Sequence, residues 1–124
     1  MSESPKSWSV YFLMGNGWQV PITGATLQHI VNNPSTGLPE TTTIGPINMA
    51  EGAVSEVKTT TAYEGQDDNW SMAFYDNNGV LHSTTLVANI ETEDANAIIF
   101  SQVTSGNNRW TLYFPVSSDS HTSI

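Results

Sequence analysis

Cysteine is missing altogether from this chain of 124 residues, which removes disulfides, thiol nucleophiles and thiolate metal sites from consideration. Positive charge is nearly as scarce: Lys6, Lys58 and Arg109 stand against 12 acidic residues, for a formal net charge of −9. Nucleic-acid binding needs a patch of Lys and Arg that displaces counterions from phosphates, and three scattered cations cannot build one. The same shortage removes electrostatic attraction to anionic lipid, leaving aromatic side chains or headgroup recognition as the ways to engage a membrane. No apolar run approaches the roughly 20 residues that cross a bilayer. The opening MSESPKSWSV lacks a basic segment followed by an apolar one, so no secretory signal peptide is visible. A cytoplasmic protein is expected, or one secreted by a route without a visible signal. The lack of staples in so small a domain fits either.

What is present suits one domain. Apolar residues make up 38% and aromatics 10%, enough to bury a single core without metals or obligatory partners. The clearest stretch is Asn69 to Leu86. Trp70, Met72 and Phe74 alternate with Ser71, Ala73 and Tyr75, Asp76-Asn77-Asn78-Gly79 breaks the run, and Val80 to Leu86 returns as a second strand. Trp8, Val10, Phe12 and Met14 give a first strand that Gly15-Asn16-Gly17 is expected to turn. Ala25 to Val31, Thr41 to Ile44, Ala53 to Tyr63, Ala97 to Val103 and Arg109 to Val116 complete the set. Short strands spaced by turn signals, with no convincing helix and no repeat, predict an all-β, single-domain antiparallel β-sandwich of about seven or eight strands, a barrel being the nearest competitor. Residues 8–116 form the domain in this reading. Residues 1–7 and 117–124 read as loose polar tails.

Catalytic signals are thin. His29, His82 and His121 show no metal-ligand spacing, and the serines lie in no nucleophile elbow. The histidines read as ordinary surface or half-buried side chains, and a hydrolase would require a polar pocket holding His29 or His82 beside a carboxylate. Glu64, Asp67 and Asp68 offer hard oxygen ligands on one turn and are the candidate calcium site, against the simpler reading of carboxylates that keep a loop solvated. Asp76 belongs to a different loop. Among the aromatics, Trp8, Trp70 and Trp110 fall on apolar strand rows and read as core. Trp18, between a glycine-rich segment and Pro21, has the best claim to being an exposed stacking residue. Tyr63 and Tyr75 stand beside it, and Asn32 and Asn33 open the Asn32 to Pro39 loop, the longest obvious one.

The segments ATLQHIVNN, AVSEVKTTTAYEG, DNWSMAFYDNNGVLHST and ANIETEDANAIIFSQV together resemble the small URDD β-sandwich domains, named for up-regulation in Daf-two worms. The resemblance runs from about Ala25 to Val116, although this chain lacks the cysteines expected of several members. It implies a small β-sandwich without established enzymatic chemistry and carries over no catalytic residues. In size and charge, but not in detailed motifs, the chain is also similar to the aegerolysin-like acidic sandwiches that bind membrane lipids.

Together these features predict a domain that is not an enzyme and needs no cofactor. It is expected to bind a lipid headgroup, membrane surface or glycan through loops and exposed aromatics, with Trp18, Asn32, Asn33, Tyr63 and Tyr75 as candidate contacts. The alternative is a structural or assembly protein that forms a homo-oligomer through strand edges.

Overall fold

In the computed structural model, residues 6–105, 108–117 and 119–124 are described. The strands are β1 (Ser7–Gly17), β2 (Ile22–Asn33), β3 (Leu38–Met49), β4 (Lys58–Tyr63), β5 (Asn69–Tyr75), β6 (Leu81–Val87), β7 (Ile98–Thr104), β8 (Arg109–Tyr113) and β9 (Asp119–Ser123). They form a five-stranded sheet in the order β4-β1-β7-β8-β9 and a four-stranded sheet in the order β3-β2-β5-β6. All neighbours are antiparallel except β1 and β7. The expected all-β sandwich is therefore the fold. No helix among the described residues is long and apolar enough to cross a membrane.

The two-residue period of the strands decides the core. On β1, Val10, Phe12 and Met14 point inward, on β5 Trp70, Met72 and Phe74, and on β8 Trp110 and Leu112, with Phe114 just beyond. The Trp70 ring meets Phe12 and Phe114 edge-on, with centroids at 5.6 and 6.3 Å. The indole N–H groups find partners: Trp70 Nε1 donates to the Ala88 carbonyl at 2.9 Å, and Trp110 Nε1 to the Ser101 hydroxyl. The inner row of β5 is buried in the core, as its alternation foretells.

Several segments depart from expectation. Gly15-Asn16-Gly17 is not a turn but the last part of β1, paired to Gln102, Val103 and Thr104 of β7. Its glycines serve close packing. A Cβ on Gly15 would lie 2.7 Å from the end of the Phe100 ring, and one on Gly17 would lie 2.4 Å from the Val103 carbonyl oxygen. The buried Asn16 amide donates from Nδ2 toward the Val20, Met49 and Ala50 carbonyls, while Oδ1 accepts the Trp18 N–H. Asn32 to Pro39 is not a long loop either, since Asn32 pairs with Pro39 and Asn33 with Leu38, leaving only Pro34 to Gly37 as a tight turn. In the stretch from Ala53 to Tyr63 only the Thr-rich half is a strand; Val54 makes a single bridge to Gly15. The 117–124 stretch contributes β9, whose polar sequence hides it from a search for apolar alternation, while Ile124 packs against the core. Of the other proposed tail, residues 1–5 lie outside the described residues, as do Gly106 and Asn107 between β7 and β8.

Candidate ligand-binding cleft

One polar network joins the two sheets of the sandwich and is buried but for its outer end at Thr42. His29, on the inner face of β2, places Nε2 2.7 Å from Asp68 Oδ1 and Nδ1 2.7 Å from the Thr60 hydroxyl, and Thr60 lies 2.9 Å from the Thr42 hydroxyl. A carboxylate only accepts, so the proton on Nε2 faces Asp68 and the other ring nitrogen faces Thr60. Asp68 Oδ2 accepts the Ile90 N–H at 2.8 Å. His29 and Asp68 are 0% and 1% exposed, so every partner counts, because a buried polar group left unpaired costs about 1–3 kcal/mol. The His29 ring also lies against Trp70, centroids 4.6 Å apart.

This network holds a surface cleft. Asn89 accepts the Asp68 N–H on Oδ1 and donates from Nδ2 to Asp67 Oδ1 at 3.0 Å, so the turn after β4 and the segment after β6 are tied together. Between them and the start of β1 opens a cavity of about 310 Å³, lined by Trp8, Tyr63, Glu64, Gln66, Asp67, Asn89 and Glu91 among others. Its wall carries two aromatic rings, three carboxylates, two amides and no cation. The Trp8 indole Nε1 is buried with no hydrogen-bond partner among the described residues. Tyr63 donates its hydroxyl to Glu40 Oε1 at 2.5 Å, and Glu40 Oε2 accepts from Asn33 Nδ2 at 3.2 Å. That hydrogen bond to Glu40, then burial and the Glu40 charge, raise the Tyr63 phenol above its ordinary 10.0.

Of the residues expected to form a site, Tyr63, Glu64 and Asp67 line this cleft, and Asn33 reaches it through Glu40. Asn32 is exposed beside the β2–β3 turn and lines neither this cleft nor a shared site with the others. Trp18 is half-buried rather than exposed: its ring lies 5.4 Å from Phe74 and 5.1 Å from His82, at the other end of the sandwich. Tyr75 is exposed, over Gly24, and belongs to that other end. Glu64, Asp67 and Asp68 do not converge as a calcium site. Asp68 turns inward to His29 and Ile90, Asp67 is engaged by Asn89, and no group of three or more His, Asp or Glu side chains among the described residues is placed to hold a metal.

Trp8, Gln66, Asn89 and Glu91 are the lining residues that sequence reasoning missed. Trp8 shares the apolar parity of Val10 and Phe12, but it stands near the end of the sheet, paired with Ala62, where the core gives way to the cleft. The acidic turn at Glu64 to Asp68 is visible as a turn. Its meeting with the segment after β6 depends on Asn89 and Ile90, whose bonds span 22 residues and leave no local periodicity.

The second histidine also has a carboxylate partner. His82 Nε2 lies 2.8 Å from Asp76 Oδ2 within the β5–β6 hairpin, and its ring stacks on Phe74 at 5.0 Å. His29 and His82 thus each sit beside an aspartate, yet neither lines the cleft. No protein-family model matches this chain and no curated protein matches it, so the chemistry of the cleft is read from its own residues.

Proposed function

We propose that this chain is a non-enzymatic binding domain whose ligand is a neutral glycan, held in the cleft between Trp8, Tyr63 and the Glu64 to Asp67 turn. The lining carries the reading. Sugar hydroxyls donate to carboxylates and amide oxygens and accept from amide N–H groups, while the C–H face of a sugar ring packs on an aromatic plane. Three carboxylates in a lining that holds no Lys or Arg disfavour phosphate and sulfate, which argues against a phospholipid headgroup at this site. The exposed aromatics Tyr11, Tyr75 and Tyr113 lie on strands and are not gathered at one loop tip, so a membrane-inserting tip has less support than the cleft.

A glycan array followed by titration calorimetry tests the proposal, with sedimentation on phosphatidylcholine vesicles as the competing arm. The expected outcome is binding of one class of neutral oligosaccharide, weakened about tenfold or more by Asp67→Ala or Tyr63→Ala, since a charge-assisted hydrogen bond contributes about 1.5–3 kcal/mol. Vesicle binding without glycan binding, or glycan binding indifferent to both substitutions, would overturn it.

A further inference from the structure

The strand edges of the sandwich are not equally protected. An edge strand presents unpaired N–H and C=O groups, and proteins guard such edges with prolines, charges, bulges or shortness. β3 carries Pro39, Glu40 and Pro46 and is irregular in its pairing with β2. β4 has six residues and begins with Lys58. β9 has five and begins with Asp119. β6, Leu81-His82-Ser83-Thr84-Thr85-Leu86-Val87, is paired along its whole length to β5 and is the last strand of its sheet. It contains no proline and no Asp, Glu, Lys or Arg. Its outward row, Leu81, Ser83, Thr85 and Val87, is exposed, the two aliphatic ends to 53% and 57%.

We infer that β6 is a homodimer edge, on which two copies join their four-stranded sheets into one continuous antiparallel sheet. The sequence of β6 is self-complementary about Thr84. Running antiparallel to itself, it sets Leu81 of one copy opposite Val87 of the other and Ser83 opposite Thr85, so that aliphatic meets aliphatic and hydroxyl meets hydroxyl on the outward face. Beside this edge lies a depression of about 350 Å³ lined by Ile30, Asn69, Ser71, Thr85 and Val87. Leu81 of the second copy, opposite Val87, comes to its rim. Charge selects the same edge: in a protein of net charge −9, two copies repel over most of their surface, and β6 is a seven-residue line along which no carboxylate faces its own image. Strand pairing of this length buries a modest area, so a dissociation constant on the order of micromolar is expected, tightening as salt screens the net charge. The inference is independent of the glycan reading, because β6 contributes no residue to the cleft.

Sedimentation velocity across a wide concentration series, at low and high salt, tests it on the whole chain. Wild type is expected to move from monomer to dimer, sooner at high salt. Ser83→Lys/Thr85→Lys places lysines opposite one another and is expected to hold the protein monomeric with an unchanged circular dichroism spectrum. Mixing it with Ser83→Glu/Thr85→Glu is expected to restore a dimer, which a merely destabilised strand would not do. Should the lysine variant fail to fold, hydrogen exchange on wild type decides: amide protection within Leu81 to Val87 rises with concentration if β6 is the interface. A strictly monomeric wild type at high salt and high concentration would overturn the inference. So would a dimer that survives the lysine pair or is broken instead by Thr41→Lys on β3.

Discussion

The two histidine–aspartate pairs are alike in chemistry and separation and differ in almost everything else. His29 and Asp68, 2.7 Å apart, are sealed between the sheets, and each has a further partner that nothing else can satisfy: Thr60 for His29, the Ile90 N–H for Asp68. His82 and Asp76, 2.8 Å apart, lie within one hairpin with side chains 20% and 11% exposed, and Asp76 also accepts the Asn78 and Val80 N–H groups of its own turn. The first pair joins elements distant in sequence and sets the cleft wall through Asn89. The second shapes a local turn. A shared residue pairing thus says little until burial and connectivity are known.

Removing Asp68 should separate the pairs most sharply. Asp68→Ala leaves His29 Nε2 and the Ile90 N–H unpaired inside the protein, and an expected loss of about 3–5 kcal/mol would be read by urea denaturation. Retention of near-wild-type stability would show the interior pair to be dispensable. Thr60→Val comes next. It is nearly isosteric, yet it strips the partner from His29 Nδ1 and from the Thr42 hydroxyl, for about 1–3 kcal/mol in the same assay. His82→Phe is expected to cost less than Thr60→Val, because a phenyl ring keeps the stack on Phe74 and Asp76 keeps its turn amides. A larger loss would make the hairpin pair the more important one.

The smallest effect is one of pH. The hydrogen bond from His82, then that from the Val80 N–H, hold the Asp76 carboxyl below its ordinary 3.8. A carboxylate whose folded pKa is depressed stabilises the protein fully above its unfolded value and loses that contribution as pH falls through the folded value. Thermal midpoints of wild type and Asp76→Asn should therefore differ near neutrality and converge below about pH 4. A gap that stays constant into acid would remove Asp76 ionisation as its source.

The sequence exposed the sandwich because alternation is a local signal. Trp70, Met72 and Phe74 declare a face within five residues, and Asp76 to Gly79 declare the turn that follows. It misread Gly15 and Gly17 because the same residue type serves a turn and a tight sheet contact, and only the approach of Phe100 and Val103 tells them apart. Part of the cleft was legible, as Tyr63, Glu64 and Asp67 stand out as aromatic and acidic side chains at a turn. Trp8 and Asn89 were not, since their roles arise from segments that meet only after folding. Trp18 failed for the same reason: the turn-like sequence around it conceals that Phe74 and His82 cover its ring.

Asn16 carries a consequence for how the protein ages. An asparagine followed by glycine is the sequence most open to attack of the next main-chain nitrogen on the side-chain amide, which expels ammonia and leaves an aspartate or isoaspartate. In the fold that path is closed, for Gly17 is held in β1 against β7 and the amide is fixed among the Val20, Met49 and Ala50 carbonyls. Unfolding opens it. The carboxylate then formed would face three carbonyl oxygens with no donor to offer them, so a chain that deamidates at Asn16 while unfolded loses its way back. Deamidation at Asn16 is thereby governed by how often the protein unfolds rather than by exposure of that residue in the native state, in contrast to Asn78-Gly79, the same dipeptide exposed in the β5–β6 turn.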